Sequence, residues 1–218
     1  GLALAFSVGF GPSALAQTVI DDFEDDPASR VTTTLDSTGW AFDTAKNDAD
    51  NADADPSTTN DTSLQLRVDS DNSGSNGASA FFDYDFDLGP GEAWDISSAT
   101  AINLSAKGLN SADDLRNLKV FAVESGGGKT GLKVSVQDDL SIGNWVDIGI
   151  GSDSSLTSIV GLEFEYVRPG AAFNDKTFAV RWDQFTADNA AIVPEPASAA
   201  LVIGLIGLGA VALRSRWS

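Results

Sequence analysis

The sequence predicts an all-β protein, an antiparallel β-sandwich, followed by a helix across a membrane at its C-terminal end. Three observations carry this expectation. Apolar and polar residues alternate with a period of two through most of residues 63–185. Clusters of Gly, Pro, Asn, Asp and Ser break the alternation at short intervals. A charge-free run then stands between a Pro-Glu-Pro and two arginines. A period of two puts successive side chains on opposite faces of a strand, whereas a helix needs 3.6.

The clearest strand has Phe82, Tyr84, Phe86 and Leu88 on one face and Asp83, Asp85 and Asp87 on the other. Leu64, Leu66 and Val68 alternate with Gln65, Arg67 and Asp69, and Ile102, Leu104 and Ala106 repeat the pattern. Further strands are expected over 118–123, 132–136, 145–150, 159–167 and 178–185. Turn clusters separate them at 71–77, 89–91, 126–128, 151–154 and 168–170. Many short strands with one apolar face indicate two sheets packed face to face. A turn of helix is expected near 111–115, and no repeat of fixed period is visible.

Residues 43–61 differ. They are rich in Asp, Asn, Ala and Thr, with almost no large apolar residue. Such a stretch buries too little surface to fold alone and reads as a solvated acidic loop. The spacing of Asn51, Asp53 and Asp55 suggests a calcium loop, but Pro56 stands where glycine is needed and no Glu closes the site.

Residues 1–16 read as a secretory signal peptide that lacks its basic start. An apolar stretch is followed by Ala14-Leu15-Ala16, a small-residue cleavage site. An anchor helix is the other reading of this stretch. The expected ectodomain is 17–190, with 191–218 as a C-terminal signal. The chain has no Cys, so no disulfide or thiol chemistry is available. Its 218 residues carry 32 acidic against 13 basic side chains, a net charge of −19. That surface repels nucleic acid and anionic lipid and attracts cations. Calcium is the natural cation for carboxylate oxygens outside the cell.

Residues 197–213 carry no charge and number about 17, near the lower limit for a membrane-spanning helix. Arg214 and Arg216 follow, and basic flanks stay on the cytoplasmic side. Pro194 and Pro196 keep the preceding segment extended. The order Val193-Pro194-Glu195-Pro196, apolar span, Arg214 and Arg216 resembles the PEP-CTERM sorting signal of Gram-negative bacteria. The resemblance implies exosortase as a partner, processing near the motif, and passage through the inner membrane. A plain anchor helix is the alternative.

Catalysis is narrowed by absences. No His means no imidazole base, and no phosphate-binding glycine loop is present. Paired carboxylates remain for glycoside hydrolysis. Glu163 and Glu165 share one strand face, though the solvated side of an outer strand accounts for them as well. No basic patch with interleaved aromatics points to nucleic acid.

The two ends of the domain carry a further signal. Asp21-Asp22-Phe23-Glu24 opens it, and Val180-Arg181-Trp182-Asp183 closes it. First and last strands can be neighbours in a sandwich, so Asp22, Glu24 and Asp183 become candidate calcium ligands. With Ser63-Leu64-Gln65-Leu66 and Trp94-Asp95-Ile96-Ser97, these motifs resemble the galactose-binding-like jelly rolls found among carbohydrate-binding modules. The resemblance implies a structural calcium at Glu24 and Asp183, with Asp22 third. Trp182 departs from it, since that family has an aliphatic residue there. The alternative for these carboxylates is plain surface positions at strand ends. Sugars stack on aromatic rings, and Trp94 and Trp145, near loops, are the candidate ligand-binding residues, with a core position as the alternative for each. The expected function is a non-catalytic surface or matrix protein that binds carbohydrate or exopolysaccharide. A purely structural surface protein and a carboxylate glycosidase are the alternatives.

Overall fold

The computed structural model describes residues 17–24, 26–35, 40–49, 62–70, 79–109, 118–133, 136, 139–151, 153–167 and 177–195. The signal peptide, residues 50–61 of the acidic stretch, the turn expected at 111–115, and Pro196 with the apolar run, Arg214 and Arg216 lie outside them. Among the described residues no helix is long and apolar enough to cross a membrane.

Two antiparallel sheets form the described structure. The strands are β1 (Gln17–Asp21), β2 (Val31–Leu35), β3 (Trp40–Ala49), β4 (Thr62–Ser70), β5 (Ser79–Asp85), β6 (Glu92–Asp95) and β7 (Ile102–Gly108). They continue with β8 (Leu118–Glu124), β9 (Lys129–Lys133), β10 (Val146–Ile150), β11 (Ile159–Val167), β12 (Thr177–Asp188) and β13 (Ala191–Pro194). The first sheet runs β10-β7-β12-β4-β3, with β1 also on β12. In the second, β11 lies between β5 and β8, β2 pairs with β5, and β9 pairs with β8. The pair β6-β13 docks on β11 at Ile159.

The alternation read from the sequence defines the inner faces. Leu64, Leu66, Val68, Leu104, Val180 and Trp182 of the first sheet meet Phe82, Tyr84, Val120, Leu162 and Phe164 of the second, all of them buried. Trp182 packs on Phe164 with ring centroids 4.5 Å apart. Truncating so large a buried ring costs about 3–5 kcal/mol. A bulge interrupts β12 between Asp183 and Phe185, with Gln184 at φ 33°. The extra residue resets the period, so Trp182 and Phe185 both point into the core. The core also fixes one glycine: a Cβ on Gly161 would collide with the Tyr84 carbonyl.

Several findings go beyond the sequence reading. Residues 43–49, expected as part of an acidic loop, are the end of β3, paired with β4 from Asp43↔Val68 to Ala49↔Thr62. Strand pairing there comes from the backbone ladder to β4, which overrides weak side-chain propensity. β9 begins at Lys129, earlier than the strand expected over 132–136. The extended segment expected before Pro196 is β13, zipped onto β6 with Val193↔Ala93 and Pro194↔Glu92. Glu195 continues it, its N–H donating to the Gly91 carbonyl at 2.8 Å. Residues 191–194, expected to lie outside the β domain, are therefore a strand of the second sheet.

Candidate functional site

The outward face of the second sheet is built by register. Antiparallel partners opposite one another share a face. One row reads Thr34, Phe81, Glu165, Lys119 across β2, β5, β11 and β8. The next reads Thr32, Asp83, Glu163, Phe121, Gly131 across β2, β5, β11, β8 and β9. The inner residues on either side are core, so this face carries the strands' polar and half-buried residues.

Three carboxylates and two lysines meet here. Lys119 Nζ donates to Glu165 Oε2 at 2.9 Å, and Ser79 Oγ donates to Glu165 Oε1 at 2.8 Å. Lys129 Nζ donates to Asp83 Oδ1 at 3.3 Å and to Glu163 Oε2. Asp83 and Glu163 are directly opposite, which is unfavourable for two like charges unless a cation joins them. Burial, with Asp83 alongside, holds the Glu163 carboxyl above its usual range against the pull of Lys129. Burial works to lower the Lys129 ammonium, and the hydrogen bonds and charges of Glu163 and Asp83 outweigh it and raise it. A depression of about 280 Å³ opens over this network, lined by Thr34, Phe81, Asp83, Lys129 and Glu163. It offers an aromatic ring, an ammonium with three donors of which two are taken, and carboxylate oxygens that accept.

Glu163 thus differs from the expectation of an outer strand's solvated face. β11 lies inside the sheet with strands on both sides, and Glu163 is buried under the lysine bridge. Sequence alternation shows which residues share a face and is silent on strand order. Lys129 gave no signal because it follows a glycine turn, and its partners are distant in sequence.

The remaining candidates fall elsewhere. β1 does pair with β12, so the first and last long strands are neighbours as the sequence suggested. Yet no group of three or more Asp, Glu, His or Cys among the described residues comes together to hold a metal. Asp22 accepts from the Glu24 N–H, Glu24 accepts from the Thr62 N–H at 3.2 Å, and Asp183 accepts from the Gln184 N–H at 2.8 Å. Those bonds engage Asp22, Glu24 and Asp183 separately, in turns and at the β12 bulge. The carboxylate missed at this end is Asp21. Its Oδ1 accepts from the Phe23 N–H and the Tyr84 hydroxyl, both at 2.8 Å, and its Oδ2 from Arg30 at 2.9 Å. Phe23 stacks on Tyr84 at 4.7 Å, and the Arg30 guanidinium lies over the same ring. A depression of about 260 Å³ lies beside Asp21, lined by Val19, Ile20, Asp22, Arg30 and Asp87, with no aromatic ring.

Trp94 lies on β6 opposite Ile159 and Ile192. It is half-buried against the core, with its indole N–H shut away from solvent. Trp145 precedes β10 and is half-buried, and the Lys107 ammonium sits over its ring at 5.8 Å from the centroid. Neither lines the depression at Phe81.

No protein-family model matches the chain, and no curated protein does. Solved structures are similar in fold. One is a β-1,2-glucanase from Parabacteroides distasonis, with a TM-score of 0.51 and 11% identity, over 78% of this chain and 24% of that one. Another belongs to work on carbohydrate-binding modules from the β-sandwich superfamily, with a TM-score of 0.41 and 13% identity, over 79% of this chain and 62% of that one. A xylan-binding domain of carbohydrate-binding module family 22 follows, with a TM-score of 0.36 and 12% identity, over 81% and 96%. This chain spans less than two thirds of the first two. At these identities the likeness is one of architecture alone, and the antiparallel sandwich rests on the two sheets themselves.

Proposed function

We propose that this chain is a non-catalytic exported protein that binds carbohydrate on the outward face of its second sheet, in an exopolysaccharide matrix. One observation carries the reading: a depression on that face joins the Phe81 ring to the Asp83–Lys129–Glu163 network. A sugar presents an apolar C–H face and a rim of hydroxyls that both donate and accept. Phe81 suits the first, and Asp83 and Lys129 suit the second. The reading thus moves the ligand-binding residues from Trp94 and Trp145 to Phe81, Asp83 and Lys129. The similar solved structures contribute the architecture, and the binding argument rests on these side chains.

The test uses the full chain in a detergent without a sugar headgroup, because alkyl glycosides would compete. Sedimentation with insoluble polysaccharides and calorimetry with soluble ones are expected to find at least one ligand. Phe81→Ala is expected to weaken binding about tenfold while the melting temperature holds. Failure to bind any polysaccharide by well-folded protein would leave a structural surface protein. Asp83 beside Glu163, with its raised carboxyl, supports glycoside hydrolysis as a second reading. Release of new reducing ends from the bound polysaccharide, lost in Glu163→Gln, would establish it.

The same proposal takes residues 1–16 as an export signal and Val193-Pro194-Glu195-Pro196 with Arg214 and Arg216 as an exosortase signal. Mass spectrometry of the protein from producing cells is expected to find a C-terminus near Pro196. Joint Pro194→Ala and Pro196→Ala changes are expected to leave the tail intact.

A further inference from the structure

We infer that Phe121 is a second stacking platform of this site, and that the site holds an extended internal stretch of a glycan chain. The inference rests on the carbohydrate reading above and deepens it. β11 has β5 on one side and β8 on the other, and its outward Glu165 and Glu163 face Phe81 and Phe121 respectively. Among the described residues of β2, β5, β8, β9 and β11, Phe81 and Phe121 are the aromatic side chains on that face. Both are half-buried, so both keep surface for contact.

Their spacing decides what they can hold. They stand two strands apart and two residues out of step. Strand spacing and rise place their backbones about 12 Å from each other. One ring stacks on another at about 4.5–7 Å, so a single sugar cannot lie on both. A line between them crosses β11 between Glu165 and Glu163, beside the lysine bridges. A glycan chain on that line would stack one unit on Phe81 and a later unit on Phe121. Its hydroxyls between would meet Asp83 and Lys129.

The neighbour of Phe121 supports this. Its partner on β9 is Gly131, and a Cβ built there would touch the Phe121 ring at 3.7 Å. Glycine keeps that flank of the ring uncovered. A longer side chain at this position would lie along the ring and take the place of a sugar.

The experiment is a length series. Oligosaccharides of increasing size, cut from whichever polysaccharide the wild type binds, are titrated by calorimetry. Affinity is expected to climb with length and then level off. Phe121→Ala is expected to lower affinity for the longest ligands about tenfold and leave the shortest unchanged. Phe81→Ala is expected to weaken all lengths. Gly131→Leu, which retains the ring and covers it, should reproduce Phe121→Ala. Affinity independent of length, or Phe121→Ala equal to wild type at every length, would overturn the second platform and leave the Phe81 site standing. No binding by the wild type to any polysaccharide would overturn the carbohydrate reading and this inference with it.

Discussion

Two clusters in this molecule use the same chemistry and reach opposite ends. At the mouth of β1, Asp21 is held by Arg30 and Tyr84. On the outward face of the second sheet, Glu163 is held by Lys129 beside Asp83. Each buries one carboxylate to the same degree, with a side-chain exposure of 5% for Asp21 and for Glu163. In each, burial raises the carboxyl against the pull of a cation. The difference lies in the partners. Arg30 is 16% exposed and packed over the Tyr84 ring, whereas Lys129 is 41% and Asp83 37% exposed. A buried carboxylate is therefore a poor mark of function by itself. What separates a brace from a site is whether its partners keep bonding capacity toward solvent and have an aromatic surface beside them.

The largest effect should come from the brace. Arg30→Ala leaves Asp21 buried with its cation gone. Breaking a buried pair this way costs about 3–5 kcal/mol. Urea unfolding is expected to show that loss, while glycan affinity of the folded fraction stays at the wild-type value. Lost affinity in folded Arg30→Ala protein would break the comparison.

Lys129→Ala should affect both properties. Glu163 is left opposite Asp83 with no cation, an unsatisfied buried group worth about 1–3 kcal/mol. Affinity is expected to fall at least tenfold. Adding Glu163→Gln removes the stranded charge, so stability should recover while binding stays lost. That separation is the sign of an open site, and a joint recovery would make the cluster a second brace.

These clusters also show what was legible beforehand. The inner faces were plain in the sequence because burial on one side of a strand enforces alternation, as at Phe82, Tyr84, Leu64 and Leu66. β3 was hidden because its residues 43–49 are Asp, Thr, Ala, Lys and Asn, and its order comes from the ladder to β4. The site was hidden for another reason. Glu163 meets Lys129 and Asp83 only through the strand order β9-β8-β11-β5, and no local pattern records that order. Glu163-Phe164-Glu165 was visible as two carboxylates on one face. Whether their strand lay at the edge or inside the sheet decided their role. At the domain's opening, Asp21 and Asp22 are adjacent, and one residue of register decides which points inward.

Acidity should stabilise the fold, and both clusters contribute. Asp21 and Glu163 bind protons more tightly folded than unfolded. The folded chain therefore holds more protons than the unfolded one between the ordinary carboxyl values, 3.8 and 4.5, and the raised ones. Stability then falls as pH rises through that window and is greatest at its lower end. Asp188, held by Thr100 and the Ala101 N–H, is lowered, so its contribution is lost as pH falls through its folded value. The chain has no His and no Cys to titrate near neutrality. Calorimetry is expected to find a melting temperature that rises as pH falls through that window and drops in stronger acid. Asp21→Asn should flatten part of the rise. A melting temperature that rises nowhere as pH falls toward those ordinary values would show that neither carboxyl is raised.

The smallest effect sharpens the comparison most. Lys119 pairs with Glu165 at 2.9 Å, with side-chain exposures of 34% and 13%. The geometry resembles that of Lys129, but Glu165 keeps a second donor in Ser79. Lys119→Ala should therefore cost no more than about 1 kcal/mol, since Glu165 retains the Ser79 hydroxyl and more solvent than Glu163 has. Binding should weaken only for ligands long enough to pass from Phe81 toward Phe121, because their path runs between Glu165 and Glu163. A stability loss as large as that of Lys129→Ala would mean that the two bridges are one structural unit. A loss confined to long ligands would instead separate them, with Lys129 acting at the centre of the site and Lys119 along its length.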